Sequence, residues 1–153
     1  MKRGPAFWFA TWFGCGLVPK APGTIGSLGA LLVAWPLAIH HGWQPLWFGG
    51  MAVAFLYPAI QSATAVSNAS GRKDPQIVVV DEVVGQWLTL AGATRLTPMA
   101  LLYAFILFRL FDIWKPPPVR QLEKLSGGTG IVLDDAMAGI YGAVILYVLG
   151  RFN

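Results

Sequence analysis

The longest stretch of this chain without Asp, Glu, Lys or Arg lies between Lys20 and Arg72. About 20 apolar residues cross the hydrocarbon core of a bilayer as a helix, so this stretch is long enough for two crossings. Hydrophobic residues make up 56% of the sequence and charged residues 12%, a composition that does not describe a water-soluble domain. His40 and His41 then mark the turn between the two crossings. The sequence therefore predicts an integral membrane protein.

Apolar runs predict an all-α fold, an integral membrane helical bundle that forms a single domain over residues 1–153. About five embedded helices are expected, at Ser27–Ile39, Leu46–Val66, Ile77–Ala93, Pro98–Trp114 and Asp135–Gly150. The glycine-rich run 126–130 is interpreted as a loop, and the N-terminal segment as a retained one because it lacks a signal-peptide cleavage site. Small residues such as Ala138 and Gly142 could join helices within one chain or between two copies, which leaves a homo-oligomer open.

The basic residues predict the orientation of the bundle. With the N-terminus inside, the following fall on the cytoplasmic side: Lys2, Arg3, Lys20, Arg72, Lys73, Arg109, Lys115, Arg120 and Lys124. Arg95 and Arg151 fall outside. All the acidic residues fall on the inner side: Asp74, Asp81, Glu82, Asp112, Glu123, Asp134 and Asp135. We therefore expect a multi-pass protein of the cell (inner) membrane with its polar groups facing the cytoplasm.

A net charge of +4 and a pI near 9.5 raise the question of nucleic-acid binding. The basic residues are scattered along a hydrophobic chain rather than clustered on an amphipathic face, so the sequence predicts no nucleic-acid partner. Anionic lipid is the better partner for such a chain. Cys15 is the single cysteine, which excludes an intramolecular disulfide and a cysteine-rich metal site.

The pair Asp81-Glu82 is expected about one turn into the third predicted helix. An ionised carboxylate there is costly unless it meets a cation, a partner or water. Gln86 and Thr89 continue the face of Glu82 at helical spacing, so this helix carries a polar stripe into the bundle. The stripe predicts either a functional site or a seam of interhelical hydrogen bonds, and the carboxylates favour the site.

Arg109, Asp112 and Lys115 recur at intervals of three at the end of the fourth predicted helix, which is expected to put both cations beside one carboxylate. The charges of these three side chains could simply neutralise one another. The same side chains could equally hold a phosphoryl group beside a metal-ligating Asp, because Arg grips phosphate with two parallel hydrogen bonds and Lys adds a compact charge. The prolines at 116–118 are expected to stop this helix.

Asp134 and Asp135 follow the glycine-rich loop and are expected in the first turn of the last helix. Acids there favour the helix dipole. Two adjacent carboxylates exceed what a cap requires, and a hard cation such as Mg²⁺ binds through one or two carboxylates, waters and substrate phosphate. Metal ligation is the sharper interpretation of this pair.

The segment from Gly14 to Ser27 combines turn residues, the cation of Lys20, and the hydroxyls of Thr24 and Ser27 just before an apolar helix. Backbone N–H groups at a helix start and hydroxyls are suitable donors to a phosphate. A plain helix cap would need Ser27 alone. The segment lacks the Gly-Lys-Ser/Thr order of a Walker A loop.

Four blocks together resemble the phosphatidylglycerophosphatase A family, membrane phosphatases that make phosphatidylglycerol from phosphatidylglycerol phosphate. The blocks read GCGLVPKAPGTIGSL at 14–28, DPQIVVVDEVVGQWLTL at 74–90, FRLFDIWKPPP at 108–118 and GGTGIVLDDAMAG at 127–139. Their order is specific, and the similarity covers nearly the whole chain. The resemblance implies Mg²⁺-dependent hydrolysis of the phosphomonoester of this phospholipid, with phosphate released to the cytoplasm.

Under this hypothesis the acids supply metal ligands and a base, and the cations neutralise the phosphate. The predicted metal ligands are Asp81, Glu82, Asp112 and Asp135. The predicted catalytic residues are Asp81, Asp112, Lys115 and Asp134. The predicted substrate-binding residues are Lys20, Thr24, Ser27 and Arg109. Direct attack by water and an aspartyl-phosphate route both fit these residues.

Three other functions fit the sequence less well than a phosphatase. A CDP-alcohol phosphotransferase would need a spaced D-G-x-x-A-R aspartate pattern, which the sequence lacks. A histidine-dependent lipid phosphatase is disfavoured because His40 and His41 are expected on the opposite side from the other candidate groups. An ion-coupled transporter component would need a charged path across the membrane, and the charged groups lie on one side. A phosphatase acting on another phospholipid stays open.

Overall fold

The computed structural model describes residues 3–152, which are all-helical and contain no β-strand. Their α-helices are α1 (Pro5–Ala10), α2 (Pro22–His40), α3 (Pro45–Ser70), α4 (Val80–Ala91), α5 (Pro98–Trp114), α6 (Val119–Leu122) and α7 (Gly127–Arg151). A short 3₁₀ helix, Cys15–Leu17, lies between α1 and α2. Met1, Lys2 and Asn153 lie outside the described residues, and so does the prediction for Lys2. The all-α fold class is confirmed.

Local sequence signals set several helix boundaries. Proline opens α2, α3 and α5, where its missing N–H costs no hydrogen bond. The Thr97 hydroxyl caps α5 by accepting a hydrogen bond from the Ala100 N–H at 3.1 Å. Gly71 ends α3 in the left-handed conformation. The predicted helix Pro98–Trp114 is found with the same bounds, because the prolines at 116–118 cannot continue it.

Helix α4 is the centre of the bundle and runs parallel to α7. Gly85 packs against Gly139, and further along both helices Gly92 packs against Ala143. The Thr89 hydroxyl also donates a hydrogen bond to the Gly139 carbonyl oxygen at 3.1 Å. Since the two helices run in the same direction, their first residues lie at the same end of the bundle.

The other long helices, α2, α3 and α5, pack around α4 and α7 and alternate in direction along the chain. The start of α2 contacts Glu82 at the start of α4 through Gly23. The last part of α3 contacts Gly128 at the start of α7. The end of α5 reaches the same place, because Lys115 pairs with Asp134 of α7. One end of the bundle, called here the cavity end, therefore gathers the starts of α2, α4 and α7 and the ends of α3 and α5.

Three of the described helices, α2, α3 and α7, are long and apolar enough to cross a membrane. Large apolar side chains such as Leu32, Val53 and Ile113 are exposed on the outside of the bundle, as a lipid-facing surface requires. The membrane helical bundle is thus supported, with a difference in the number of crossings. Of the five expected embedded helices, α5 has 17 residues and α4 has 12, and α4 is covered by its neighbours.

Several predicted boundaries differ from the observed ones, and those of α4 and α7 bear on the site; α2 also begins at Pro22 rather than Ser27, and α3 ends at Ser70 rather than Val66. Helix α7 begins at Gly127 rather than Asp135, so the glycine-rich run is its first turn and not a loop. Gly128 packs against Ile60 and Thr64 of α3, where a larger side chain would collide, and the Thr64 hydroxyl accepts a hydrogen bond from its N–H at 3.0 Å. Tertiary packing therefore outweighs the low helix propensity of glycine. Helix α4 in turn begins at Val80, later than Ile77, which puts Asp81 in its first turn.

The N-terminal segment packs into the core. Phe7, Ala10 and Trp12 are buried, and the Trp12 ring meets Trp87 of α4 edge to face, with centroids 5.5 Å apart. The Ala10 carbonyl oxygen accepts a hydrogen bond from the Val79 N–H at 2.8 Å. This contact anchors the residue just before α4 and so supports the helix start that carries Asp81.

Candidate active site

One cavity of about 380 Å³ at the cavity end collects every acidic residue of the chain. Within residues 3–152, four basic residues line the same cavity. The charged lining consists of Asp74, Asp81, Glu82, Asp112, Glu123, Asp134, Asp135, Lys73, Arg109, Lys115 and Lys124. Seven carboxylates against four cations leave a formal excess of three negative charges. An anionic substrate would be repelled by this lining unless further positive charge were bound.

Three carboxylates form a tight cluster within this cavity. Asp81 and Glu82 from α4 and Asp135 from α7 each offer an oxygen within 4.8 Å of the others. Asp81 Oδ1, Glu82 Oε2 and Asp135 Oδ2 are buried without a hydrogen-bond partner among the described residues. Buried, unpartnered carboxylate oxygens this close repel each other, and a cation between them would offset that cost. The donor set is all oxygen, which suits a hard divalent ion. These residues could hold a metal ion.

Glycines one turn further along both helices bring this cluster together. Gly85 follows Asp81 by four residues, and Gly139 follows Asp135 by four. A Cβ at Gly85 would lie 2.7 Å from the Asp135 carbonyl oxygen, and one at Gly139 would collide with the Gly85 carbonyl oxygen. Only with hydrogen at both positions can the backbones approach this closely. The close crossing is what places Asp135 beside Asp81.

Two cations each hold carboxylates at the edge of the cluster. Arg109 Nη1 lies 2.6 Å from Asp112 Oδ2 and 3.9 Å from Glu82 Oε1. Lys115 Nζ lies 2.8 Å from Asp134 Oδ2 and 3.1 Å from Glu123 Oε1. Burial by itself would lower the pKa of Lys115, but its hydrogen bonds to Asp134 and Glu123 raise the pKa above its ordinary value. Lys115 is therefore a permanent cation in the cavity.

The expectation that both cations flank Asp112 was half correct. Arg109 pairs with Asp112 across one turn of α5, as the spacing predicts. Lys115 lies just beyond the helix with φ of 50°, so its side chain leaves the face that an i+3 residue would share and reaches Asp134 instead. Asp134 and Asp135 lie two turns into α7 rather than in its first turn, so the dipole explanation for this pair was wrong.

The segment before α2 meets the cavity through its backbone and its small residues. Ala21, Pro22 and Gly23 line the cavity. A Cβ at Gly23 would collide with Glu82 Oε1 and lie 3.2 Å from Arg109 Nη1. Gly23 is therefore required for the present positions of both charged groups.

The three predicted substrate-binding residues near the N-terminus lie outside the cavity lining. Lys20 is exposed, and Thr24 is half-buried. Ser27 is fully buried, and its hydroxyl donates a hydrogen bond to the Gly23 carbonyl oxygen at 3.1 Å. Their predicted role in substrate binding stays a prediction.

Four further charged residues line the cavity although no motif predicted a role for them in the site: Asp74, Glu123, Lys73 and Lys124. Their predicted position on the cytoplasmic side is the one sequence signal that connects them with the site. Gln86 is fully buried, and neither atom of its amide has a partner among the described residues. Of the predicted polar stripe, Thr89 makes an interhelical hydrogen bond. His40 lies at the end of α2 away from the cavity.

Comparison with known proteins identifies the family to which this chain belongs. The family model described as "Phosphatidylglycerophosphatase A" matches residues 8–150. Phosphatidylglycerophosphatase A of Escherichia coli is 34% identical over 93% of this chain and 81% of its own length, and that of Haemophilus influenzae is 36% identical over 95% and 88%. A protein of Bacteroides thetaiotaomicron, provisionally named a phosphatidylinositol-3-phosphatase, is 37% identical over 97% and 96%. No solved structure gives a significant match. The chain belongs to the phosphatidylglycerophosphatase A family, a family of phosphatases, as the order of its four sequence blocks predicted.

Proposed function

We propose that this protein hydrolyses the phosphomonoester of phosphatidylglycerol phosphate, giving phosphatidylglycerol and inorganic phosphate, in an Mg²⁺-dependent reaction at the cytoplasmic face of the membrane. The observation that carries the proposal is the cluster of Asp81, Glu82 and Asp135, with three unpartnered carboxylate oxygens in a cavity of a family phosphatase. Oxygen-only ligands and a phosphate substrate are the usual setting of Mg²⁺.

The proposed metal ligands are Asp81, Glu82 and Asp135, with Asp112 as the fourth predicted ligand. When bound, Mg²⁺ supplies a Lewis acid for the phosphoryl oxygens. Arg109 Nη1 lies 2.6 Å from Asp112 Oδ2. This ion pair favours a role for Asp112 in positioning Arg109 over direct binding of the metal by Asp112. The excess of acidic over basic groups in the lining supports the need for a bound cation before a phosphate can enter.

Arg109 and Lys115 are proposed to bind the phosphoryl oxygens and to neutralise the charge that moves onto the leaving oxygen. Glu82 and Asp112 orient the guanidinium of Arg109, and Asp134 orients the ammonium of Lys115. These pairs hold the cations in place before the substrate arrives, which reduces the reorganisation that the reaction requires.

Asp81 is proposed as the group that begins the reaction. It could accept the proton of an attacking water as the phosphate ester bond breaks, or its own oxygen could attack phosphorus and be released by water afterwards. In both routes the bond between phosphorus and the lipid oxygen breaks and the departing oxygen takes up a proton that comes from water: the proton of the attacking water, passed on by Asp81, in the first route, and a proton of solvent water in the second. Trapping with hydroxylamine distinguishes them, since only the second route forms an acyl phosphate.

The cytoplasmic orientation rests on the distribution of basic residues. Lys20, Arg72, Arg120 and Lys124 belong to segments at the cavity end, whereas Arg95 and Arg151 belong to the opposite end. The test is labelling of an Arg120→Cys variant, in a Cys15→Ser background, with a membrane-impermeant maleimide. Labelling in inverted vesicles and protection in intact cells supports the cytoplasmic face, and the reverse contradicts it.

A second substrate is favoured by one comparison, the Bacteroides relative whose name refers to phosphatidylinositol 3-phosphate. That lipid also carries a phosphomonoester on a phosphodiester headgroup.

A transporter function is not supported, because the acidic residues gather at one end of the bundle instead of forming a path across it.

The experiment that tests the proposed function is phosphate release from phosphatidylglycerol phosphate by purified protein in neutral detergent micelles, with Mg²⁺ or with EDTA. We expect release with Mg²⁺, its loss in EDTA, and a loss of about 100-fold or more in Asp81→Asn. Arg95→Gln at the opposite end is the control and should retain activity. A folded wild type that releases no phosphate from this lipid, but does so from phosphatidylinositol 3-phosphate, would transfer the proposal to the second substrate.

A further inference from the structure

The basic residues of the cavity fall into two groups. Arg109 and Lys115 are each paired with two carboxylates. Lys73 and Lys124 line the same cavity and are exposed, yet neither forms an ion pair with a carboxylate within residues 3–152. Arg109 and Lys115 thus already have carboxylate partners beside the cluster, whereas no paired carboxylate offsets the positive charge of the two lysines.

The two lysines belong to different connecting segments that meet at the mouth of the cavity. Lys73 lies between α3 and α4, and Lys124 lies between α6 and α7. Lys73 Nζ is 3.5 Å from the Lys124 carbonyl oxygen, so the ammonium of one residue lies against the backbone of the other. The Ser67 hydroxyl donates to the carbonyl oxygens of Arg72 and Lys73, at 2.8 and 3.2 Å, which ties the first segment to the end of α3.

We infer that Lys73 and Lys124 form a second anion subsite, which binds the phosphodiester of a lipid whose phosphomonoester lies at the carboxylate cluster. The inference rests on the proposed function and deepens it. A substrate with two phosphates brings a second negative charge to the cavity. The net negative lining would repel the second phosphate unless cations not already neutralised lay near the mouth.

This subsite defines the substrate class by chemistry. Lipids with a monoester beyond a phosphodiester would engage both subsites, and the lipids in the names of all three relatives have this form. Phosphatidic acid carries one phosphate, attached directly to diacylglycerol, and would leave the lysines without a ligand. The lysines would therefore act on discrimination between lipids and not on the chemical step.

The test compares two substrates in neutral detergent micelles with Mg²⁺. For Lys73→Gln combined with Lys124→Gln we expect KM for phosphatidylglycerol phosphate to rise about tenfold, with kcat within about twofold, because charge-assisted hydrogen bonds to the bound lipid are lost. KM for phosphatidic acid should not change. Arg72→Gln combined with Arg120→Gln is the matched control, since both are exposed cations beside the same segments that do not line the cavity. The control should leave both KM values unchanged.

Equal changes for both lipids, an equal change in the control, or no change would overturn the subsite. A second measurement needs no turnover: binding of a fluorescent phosphatidylglycerol phosphate to Asp81→Asn protein, with and without the two lysine substitutions. Weaker binding, by about tenfold, supports the subsite. Unchanged binding overturns it. A wild type that binds the lipid through the lysines but releases no phosphate would contradict the proposed function and leave the anion subsite standing.

Discussion

The two ends of the bundle each carry a cavity, of about 380 Å³ at the cavity end and about 430 Å³ at the opposite end. The first gathers every acidic residue of the chain with four cations. The second is lined mainly by apolar groups such as Met99, Tyr103 and Leu146, and Arg95 is the one charged residue that lines it in the part of the chain that the structure describes. Size does not distinguish the two cavities. The two cavities differ in their charged groups, because only the one at the cavity end brings together many charged side chains and unpartnered carboxylate oxygens. This difference identifies the cavity end as the candidate active site.

The sharpest way to break this comparison is to remove one carboxylate from the cluster. Asp135→Asn keeps the shape of the side chain but removes one negative charge from the cluster of Asp81, Glu82 and Asp135. We expect phosphate release to fall about 100-fold or more, because a metal site with one ligand fewer loses positive charge at the phosphate. Phosphate release across an Mg²⁺ titration measures this. Arg95→Gln in the opposite cavity is the comparison, and a similar loss there would contradict the assignment of the site.

A glycine substitution tests the same site without altering a charge. Gly23→Ala places a methyl group where it would collide with Glu82 Oε1 and lie 3.2 Å from Arg109 Nη1, so the Glu82 carboxylate must move beside Arg109. A displacement on this scale is expected to lower kcat about tenfold or more. Gly50→Ala is the matched control, since nothing lies within 4 Å of a Cβ there. Full activity of Gly23→Ala would show that the position of Glu82 is unimportant.

The close crossing of α4 and α7 should show itself mainly in stability. A Cβ at Gly85 would collide with the Phe108 ring and lie 2.7 Å from the Asp135 carbonyl oxygen. Gly85→Ala should therefore lower the free energy of unfolding by about 1 to 3 kcal/mol through overpacking, and reduce activity as Asp135 shifts. Thermal unfolding in detergent checks this against Gly50→Ala. An unchanged Tm would contradict the tight crossing.

The smallest expected effect lies further from the site. Thr89→Val removes the hydrogen bond from the Thr89 hydroxyl to the Gly139 carbonyl oxygen but keeps the branched shape. Hydrogen bonds between membrane helices contribute about 0.6 kcal/mol on average, so we expect a loss of that order in unfolding free energy. Activity should change less than twofold. A large loss of activity would mean that the polar stripe of α4 takes part in the chemistry.

The sequence predicted the parts of this site that follow from periodicity and direction. Helices that alternate across a membrane bring every second start to the same side, which is why Asp81 and Asp135 could be expected together. The i, i+3 spacing likewise predicted the pair of Arg109 and Asp112. Four hydrophobic helices were also located within a few residues of their observed bounds.

The structural features that the sequence did not predict depend on contacts between segments that are distant in the chain. The first turn of α7 looked like a loop because glycine is a weak helix former, and only the packing of Gly128 against Ile60 explains it. The reach of Lys115 to Asp134 follows from a left-handed residue at the end of α5, which spacing does not reveal. The short helices α1 and α6 have too few turns to show a period.

The proposed function depends most directly on whether Asp81, Glu82 and Asp135 hold a divalent metal that phosphate release requires. Electron paramagnetic resonance of Mn²⁺, as a stand-in for Mg²⁺, measures binding directly in detergent-solubilised wild type and in Asp135→Asn. The account predicts saturable binding by the wild type, displacement by Mg²⁺, and strong weakening in Asp135→Asn, in parallel with lost activity. Equal Mn²⁺ binding by both proteins, or an active wild type that binds none, would contradict it.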